Sequence, residues 1–311
     1  MILLIGIDGY SWAWSGALRH RGFDVAPLLA PKPVSWLAWN TLGTGVDAST
    51  WGLTENPNSY VEFGRRGKQR PLYLWERLQA AGGRLVIVNW PFLIRPGPTA
   101  GVLVSGYPAG RQHFVQPPQE QWSYEDLDFS NEHELAVAGN DVRKKLLQTA
   151  AKEHVEGCAD RRERLVRTFI AGVRRHEPML AFLGIMDLDR LCHYAYSAMQ
   201  DGGARAAIIA GILDSVENVV DALEPEATIV FSDHGLDCSA AAQPDGRGRG
   251  HGSDLPESLR GVLALKQSTY SLRSEEAAQI DLAPMVLKRC GIGHNLSGID
   301  RSVPAEEKKH G

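Results

Sequence analysis

Five short segments carry side chains suited to metal binding and nucleophilic attack: GIDG at 6–9, PVSW at 33–36, DLDRLCH at 187–193, SDHG at 232–235 and GHGSD at 250–254. They offer the carboxylates of Asp8, Asp187, Asp189 and Asp233, the imidazoles of His193, His234 and His251, and one candidate hydroxyl nucleophile, Ser35. Carboxylate and neutral imidazole together suit Zn²⁺, and such a mixed oxygen and nitrogen set also takes Mn²⁺ or Fe. Asp189 and His193 stand at i,i+4, so one helical turn would bring them together on one face. Two divalent ions about 3.5–4 Å apart clamp the attacking and leaving oxygens of an in-line phosphoryl displacement. Counting one of Asp187 and Asp189, the segments supply six ligands for such a pair. Singly, each residue has an ordinary role: an Asp after a strand caps a helix, a histidine packs, and Ser35 is a simple N-cap. Their joint placement beside glycines and at strand ends marks them out.

The elements that must position these residues are legible as apolar runs. MILLIGI (1–7), LVIV (85–88), GVLV (101–104), LAFLGI (180–185), ATIVF (227–231) and GVLAL (261–265) lack alternation, as strands covered on both faces do. Helical spacing predicts helices over 71–83, 203–223 and 281–293, a short one following Ser35 in WLAWNTLG, and another over 141–174 with a possible break at Gly157. The alternation implies an α/β fold, a three-layer α/β/α sandwich around a mostly parallel sheet. Ligands of such sheets gather beyond the carboxyl ends of the strands, where Asp8, Asp187, Asp189 and Asp233 are expected. Residues 1–311 read as a single catalytic domain, and the Pro/Gly-rich, aperiodic stretch at about 92–140 as a small cap insertion.

Composition narrows the function. With 311 residues, 43% apolar content and a formal net charge of −4 without long blocks of one sign, the chain reads as a soluble globular protein with no nucleic-acid or anionic-membrane footprint. A small-molecule partner is expected. No leader segment and no run of about 20 apolar residues is visible, and Cys158, Cys192, Cys238 and Cys290 show no CxxC spacing. A cytoplasmic location with reduced thiols follows as the expectation.

The order GIDG, a Ser ahead of TG, DxxxH, SDHG and HG resembles the alkaline phosphatase superfamily, and within it most closely the type I phosphodiesterase/nucleotide pyrophosphatase family. In that family the Thr or Ser nucleophile lies nine residues before the Thr of a TG pair; Thr44-Gly45 then selects Ser35. VDASTWGLTEN (46–56) resembles the family's following stretch, with Trp51 in place of its His and the Asn at Asn56. DRLCHYAY resembles the segment that carries one Asp and one His ligand, which selects Asp189 and His193 over Asp187, and QIDLAPMVLKRCGI resembles the closing helix. The similarity spans 1–56 and 180–303.

The resemblance implies an alkaline phosphatase-like fold and two divalent ions, most simply Zn²⁺. One would be held by Asp189, His193 and His251, the other by Asp8, Asp233 and His234 together with the Ser35 oxygen. It implies hydrolysis of a phosphodiester or pyrophosphate bond in a nucleotide or nucleotide-sugar type substrate through a phospho-serine intermediate. Asn56 would donate its amide to a phosphate oxygen, and Trp36 would stack a base or sugar. A phosphomonoesterase or phosphonate hydrolase is the alternative, with Arg95, Arg111 or an arginine of 247–249 supplying the extra positive charge. An inactive, metal-stabilised binding protein is the alternative outside enzymes. The C/S-x-P-x-R context of sulfatases is absent after Ser35, as is G-x-S-x-G, and GTGVDA (43–48) follows a helix-like segment rather than the strand a dinucleotide fingerprint requires.

Overall fold

The computed structural model describes residues 1–56, 59, 62–63, 69–106, 115–116, 140–239, 250–251, 255–267, 269–272, 276–298 and 302–304. All six apolar runs are strands. In chain order the strands are β1 (Ile2–Ile7), β2 (Asp24–Leu29), β3 (Leu85–Trp90), β4 (Gly101–Ser105), β5 (Val115–Gln116), β6 (Leu180–Ile185), β7 (Ala227–Phe231), β8 (Arg260–Lys266), β9 (Tyr270–Leu272), β10 (Ala277–Ala278) and β11 (Ser302–Pro304). One nine-stranded sheet runs β10-β2-β8-β7-β1-β6-β3-β4-β5, and β9 pairs with β11. From β7 through β4 every neighbouring pair is parallel, whereas β8 runs antiparallel to β7 and to β2.

Register sets the site. Ile2 pairs with both Leu180 and Ala227, so β1, β6 and β7 end level and release Asp8, the 187–193 segment and Asp233 from three adjacent strand ends. The side chains of β1 alternate between two buried layers. Leu3, Ile5 and Ile7 join the face covered by the helices Asn140–His176 and Gly202–Leu223, while Ile2 and Leu4 join the face covered by Ser35–Thr44, Leu74–Ala80 and Leu282–Arg289. This is the expected three-layer arrangement.

Gly6 lies on the second face, where a Cβ would stand 2.5 Å from the Trp39 ring. The missing side chain lets the helix Ser35–Thr44 press against β1 through a fully buried indole that meets Trp90 and Phe231 edge-on, at 5.3 and 5.5 Å between centroids. Trp39→Ala removes that anchor one turn beyond Ser35. A destabilisation of about 3–5 kcal/mol is expected, read as a fall in the denaturant midpoint.

Several expectations need correction. Asn140–His176 is one helix, unbroken at Gly157. A single helical glycine costs only about 1 kcal/mol relative to alanine, and Leu165, Phe169 and Val173 hold the helix on the sheet. The helix expected at 71–83 covers only Leu74–Ala80, entered from Tyr73 with Glu76 reaching back to the Tyr73 amide. Within the stretch at 92–140, the run read as a strand at 101–104 joins the sheet as β4, as does β5 at 115–116; residues 107–114 and 117–139 of the expected cap lie outside the described residues. The strand β2 was not expected, because DVAPLL holds an aspartate and a proline and only Ala26 and Leu28 point fully inward.

Candidate metal centre

Ser35 is the first residue of its helix, not its cap. Val34 holds the cap position with extended backbone and makes no side-chain cap bond. The Ser35 hydroxyl is instead directed at His234, with Oγ 3.2 Å from Nε2. The same nitrogen lies 3.3 Å from Asp233 Oδ2 and 3.6 Å from Asp8 Oδ1. Three oxygens from three segments thus surround one buried imidazole nitrogen.

Beside this group stands a second. His251 Nε2 is 3.4 Å from Asp189 Oδ1, His193 Nε2 is 3.5 Å from Asp189 Oδ2, and the two nitrogens are 3.2 Å apart. The i,i+4 pair lies on the helix Asp187–Tyr194, as the spacing predicted. The rings of His234 and His251 lie 4.3 Å apart between centroids, so the two groups are contiguous. Asp189 belongs to both: the donor atoms of Asp189, His193 and His251, and again those of Asp8, Asp189 and His234, lie within 4.8 Å of one another. Asp187 is turned away, into an ion pair with Arg162.

Backbone carbonyls orient two of the imidazoles. His234 Nδ1 donates to the Gly235 carbonyl (2.9 Å) and His251 Nδ1 to the Pro33 carbonyl (2.9 Å), which leaves each Nε2 lone pair facing the carboxylates. Burial holds both rings below the usual histidine range, His251 at about 4, so both are neutral, the form that binds metal. Burial and the crowding of like charges push Asp8 upward, and burial pushes Asp233 up to about 7. Asp189 is held low despite its burial by His193, His251 and His234.

This donor set fits divalent cations. Asp8 Oδ1, Asp189 Oδ1 and Asp233 Oδ2 are all buried without a hydrogen-bond donor among the described residues. A buried carboxylate oxygen without a donor is costly, and three turned toward neutral imidazoles make a cluster that calls for positive charge. Ser35, Asp8, Asp189, His193, Asp233, His234 and His251 are therefore all brought together.

The remaining expected residues are not part of that cluster. Trp36 is half-buried, its Nε1 donating to the Thr54 carbonyl (2.8 Å) and its ring 6.3 Å from that of Phe92. Asn56 is exposed in a turn, where its main-chain N–H donates to the Thr54 hydroxyl (3.3 Å) and its main-chain carbonyl accepts from the Ser59 N–H (2.9 Å). The Arg95 carbonyl accepts from Arg70, and residues 111 and 247–249 lie outside the described residues. Two contributors escaped the sequence reading. Arg190, between Asp189 and His193, is a buried cation that draws down Asp8 and Asp189 electrostatically. The Pro33 carbonyl acts through the backbone, where residue type leaves no signal.

Comparison with known proteins bears on the fold. No protein-family model matches the chain, and no curated protein matches its sequence. Among solved structures, murine ectonucleotide pyrophosphatase/phosphodiesterase 5 aligns over 97% of this chain and 100% of its own at 14% identity, with a TM-score of 0.56. An inactive form of that murine protein in complex with AMP aligns over 97% and 99% at 14% identity, TM-score 0.56. A 2-O GAG sulfatase aligns over 95% of this chain and 71% of its own at 11% identity, TM-score 0.55. Both kinds of neighbour are hydrolases of the alkaline phosphatase superfamily. With helices on both faces of a mostly parallel sheet, the chain has the alkaline phosphatase-like α/β fold.

Proposed function

We propose that the protein is a two-metal phosphodiesterase of the nucleotide pyrophosphatase kind, with Ser35 as nucleophile. The observation that carries this reading is the Ser35 hydroxyl facing a part-buried cluster of three carboxylates and three imidazoles, with one oxygen of each carboxylate lacking a donor among the described residues. Divalent ions held by Asp189, His193 and His251 and by Asp8, Asp233 and His234 would supply Lewis-acid charge for the attacking and leaving oxygens. Ser35 Oγ forms a bond to phosphorus as the bond to the leaving oxygen breaks, and the hydroxyl proton is released to water. A water molecule then attacks phosphorus, the Ser35 Oγ–P bond breaks, and the hydroxyl is restored. The helix Ser35–Thr44, pinned by Trp39, fixes the nucleophile relative to the strand ends that carry the ligands.

A nucleotide-type substrate is supported by Trp36, the residue that follows the nucleophile in sequence, whose ring lies 6.3 Å from that of Phe92. Base stacking is worth about 1–3 kcal/mol, so Trp36→Ala should raise KM for a nucleotide diester about ten-fold while kcat holds. Unchanged KM would remove Trp36 from recognition. The overall reading is tested by initial rates on bis-p-nitrophenyl phosphate, p-nitrophenyl phosphate and p-nitrophenyl sulfate with zinc- or manganese-loaded protein. Diester preference is the expected result; preference for the monoester or the sulfate ester would overturn it.

A further inference from the structure

The backbone of Asp233 and His234 is held by two side chains outside the cluster of donor atoms. Ser232 Oγ donates to the His234 carbonyl (2.5 Å) and accepts from the Tyr10 amide (2.8 Å). One fully buried hydroxyl therefore joins the segment leaving β7 to the segment leaving β1. Gln279 Nε2 donates to the Asp233 carbonyl (2.6 Å) from the short turn Gln279–Asp281. That turn is set by Asp281 Oδ2, which accepts from the Ala278 amide (2.9 Å).

The arrangement answers a definite problem. Beyond Phe231 the chain leaves its ladder, and while the amides of Ser232 and Gly235 still reach the Val262 and Ser258 carbonyls, the carbonyls of Asp233 and His234 find their donors in side chains. A buried carbonyl must have a donor. Pinning both fixes the peptide planes from which the Asp233 carboxylate and the His234 ring project, and Gly9 N adds a bond to Asp233 Oδ1 (3.3 Å).

We infer that Ser232 and Gln279 are positioning residues, a two-donor clamp that holds Asp233 and His234 in register with Asp8 and so sets the affinity of the centre for divalent metal. The inference rests on the metal-centre reading above. Hydrogen-bond partners of ligand residues typically change metal affinity about 10–100-fold when removed.

The test is Zn²⁺ binding to the full chain by competition with a chromophoric chelator, together with the visible absorption of the Co²⁺-loaded protein. Ser232→Ala and Gln279→Leu should each weaken Zn²⁺ binding about ten-fold or more and alter the cobalt bands, with circular dichroism of the metal-free protein unchanged. Ser232→Thr, which keeps the hydroxyl, should restore both readouts. Folded variants with wild-type affinity and wild-type cobalt bands would overturn the clamp. Should Ser232→Ala fail to fold, Gln279→Leu decides alone, because Gln279 lies at the margin of the core with 7% exposure. Wild-type protein that binds no zinc would overturn the metal centre itself, an outcome distinct from wild-type binding with unaffected variants.

Discussion

Ser35→Ala is expected to lower phosphodiester hydrolysis by on the order of 10³-fold or more while leaving the fold and the bound metal in place. The two halves of this expectation have separate causes. Loss of the nucleophile removes the only covalent route of the proposed reaction, since Oγ is the atom that bonds to phosphorus. Retention of the fold follows from the position: Ser35 makes no cap bond, and alanine is a good helix former at the first helical residue. The helix remains anchored by Trp39 against Gly6, so a stability change of about 1 kcal/mol or less is expected. Kinetics, zinc content and a thermal melt of the same preparation check the three points together. A variant that is fully folded, metal-loaded and as active as the wild type would remove Ser35 from the mechanism.

Truncating Asp189 should have an effect as large on rate and a larger one on metal content. Its Oδ1 faces His251 and its Oδ2 faces His193, and its carboxylate also closes the group formed with Asp8 and His234. Asp189→Ala therefore weakens both halves of the centre at once. Under conditions where the wild type holds two zinc equivalents, the variant should hold neither fully, and turnover should fall on the order of 10³-fold or more. Asp187→Ala, two residues away on the same helix, is the control. Its carboxylate pairs with Arg162 rather than with an imidazole, so metal content and kcat should hold while stability drops by about 1–3 kcal/mol. Elemental analysis of the two variants distinguishes them; a metal-depleted Asp187→Ala beside a zinc-replete Asp189→Ala would reverse the assignment.

Much of this fold was legible because buried strands in a parallel sheet are written as unbroken apolar runs, as in LAFLGI and ATIVF. The i,i+4 spacing of Asp189 and His193 made one pair readable, and the strand-end placement of Asp8 and Asp233 made two more. DVAPLL escaped, since four of the six residues of β2 are only partly buried and its pattern is diluted by Asp24 and Pro27. Ser35 alone looked like a cap; its true partner, His234, is 199 positions away. Contacts made by backbone carbonyls, such as Pro33 to His251, depend on chain path rather than residue identity. Gln279 lay within a recognisable segment, yet nothing local links it to Asp233, 46 positions earlier. Long-range polar pairing is where sequence patterns fall silent, and here it governs the finer geometry of the site.

The most direct test of the two-metal account is the rate of bis-p-nitrophenyl phosphate hydrolysis by zinc-loaded protein, before and after chelation and then during stepwise return of Zn²⁺. The account predicts turnover that chelation abolishes and that returns as two equivalents are added. Hydrolysis that persists at the same rate after chelation, or a fully zinc-loaded protein with no diester turnover, would contradict it.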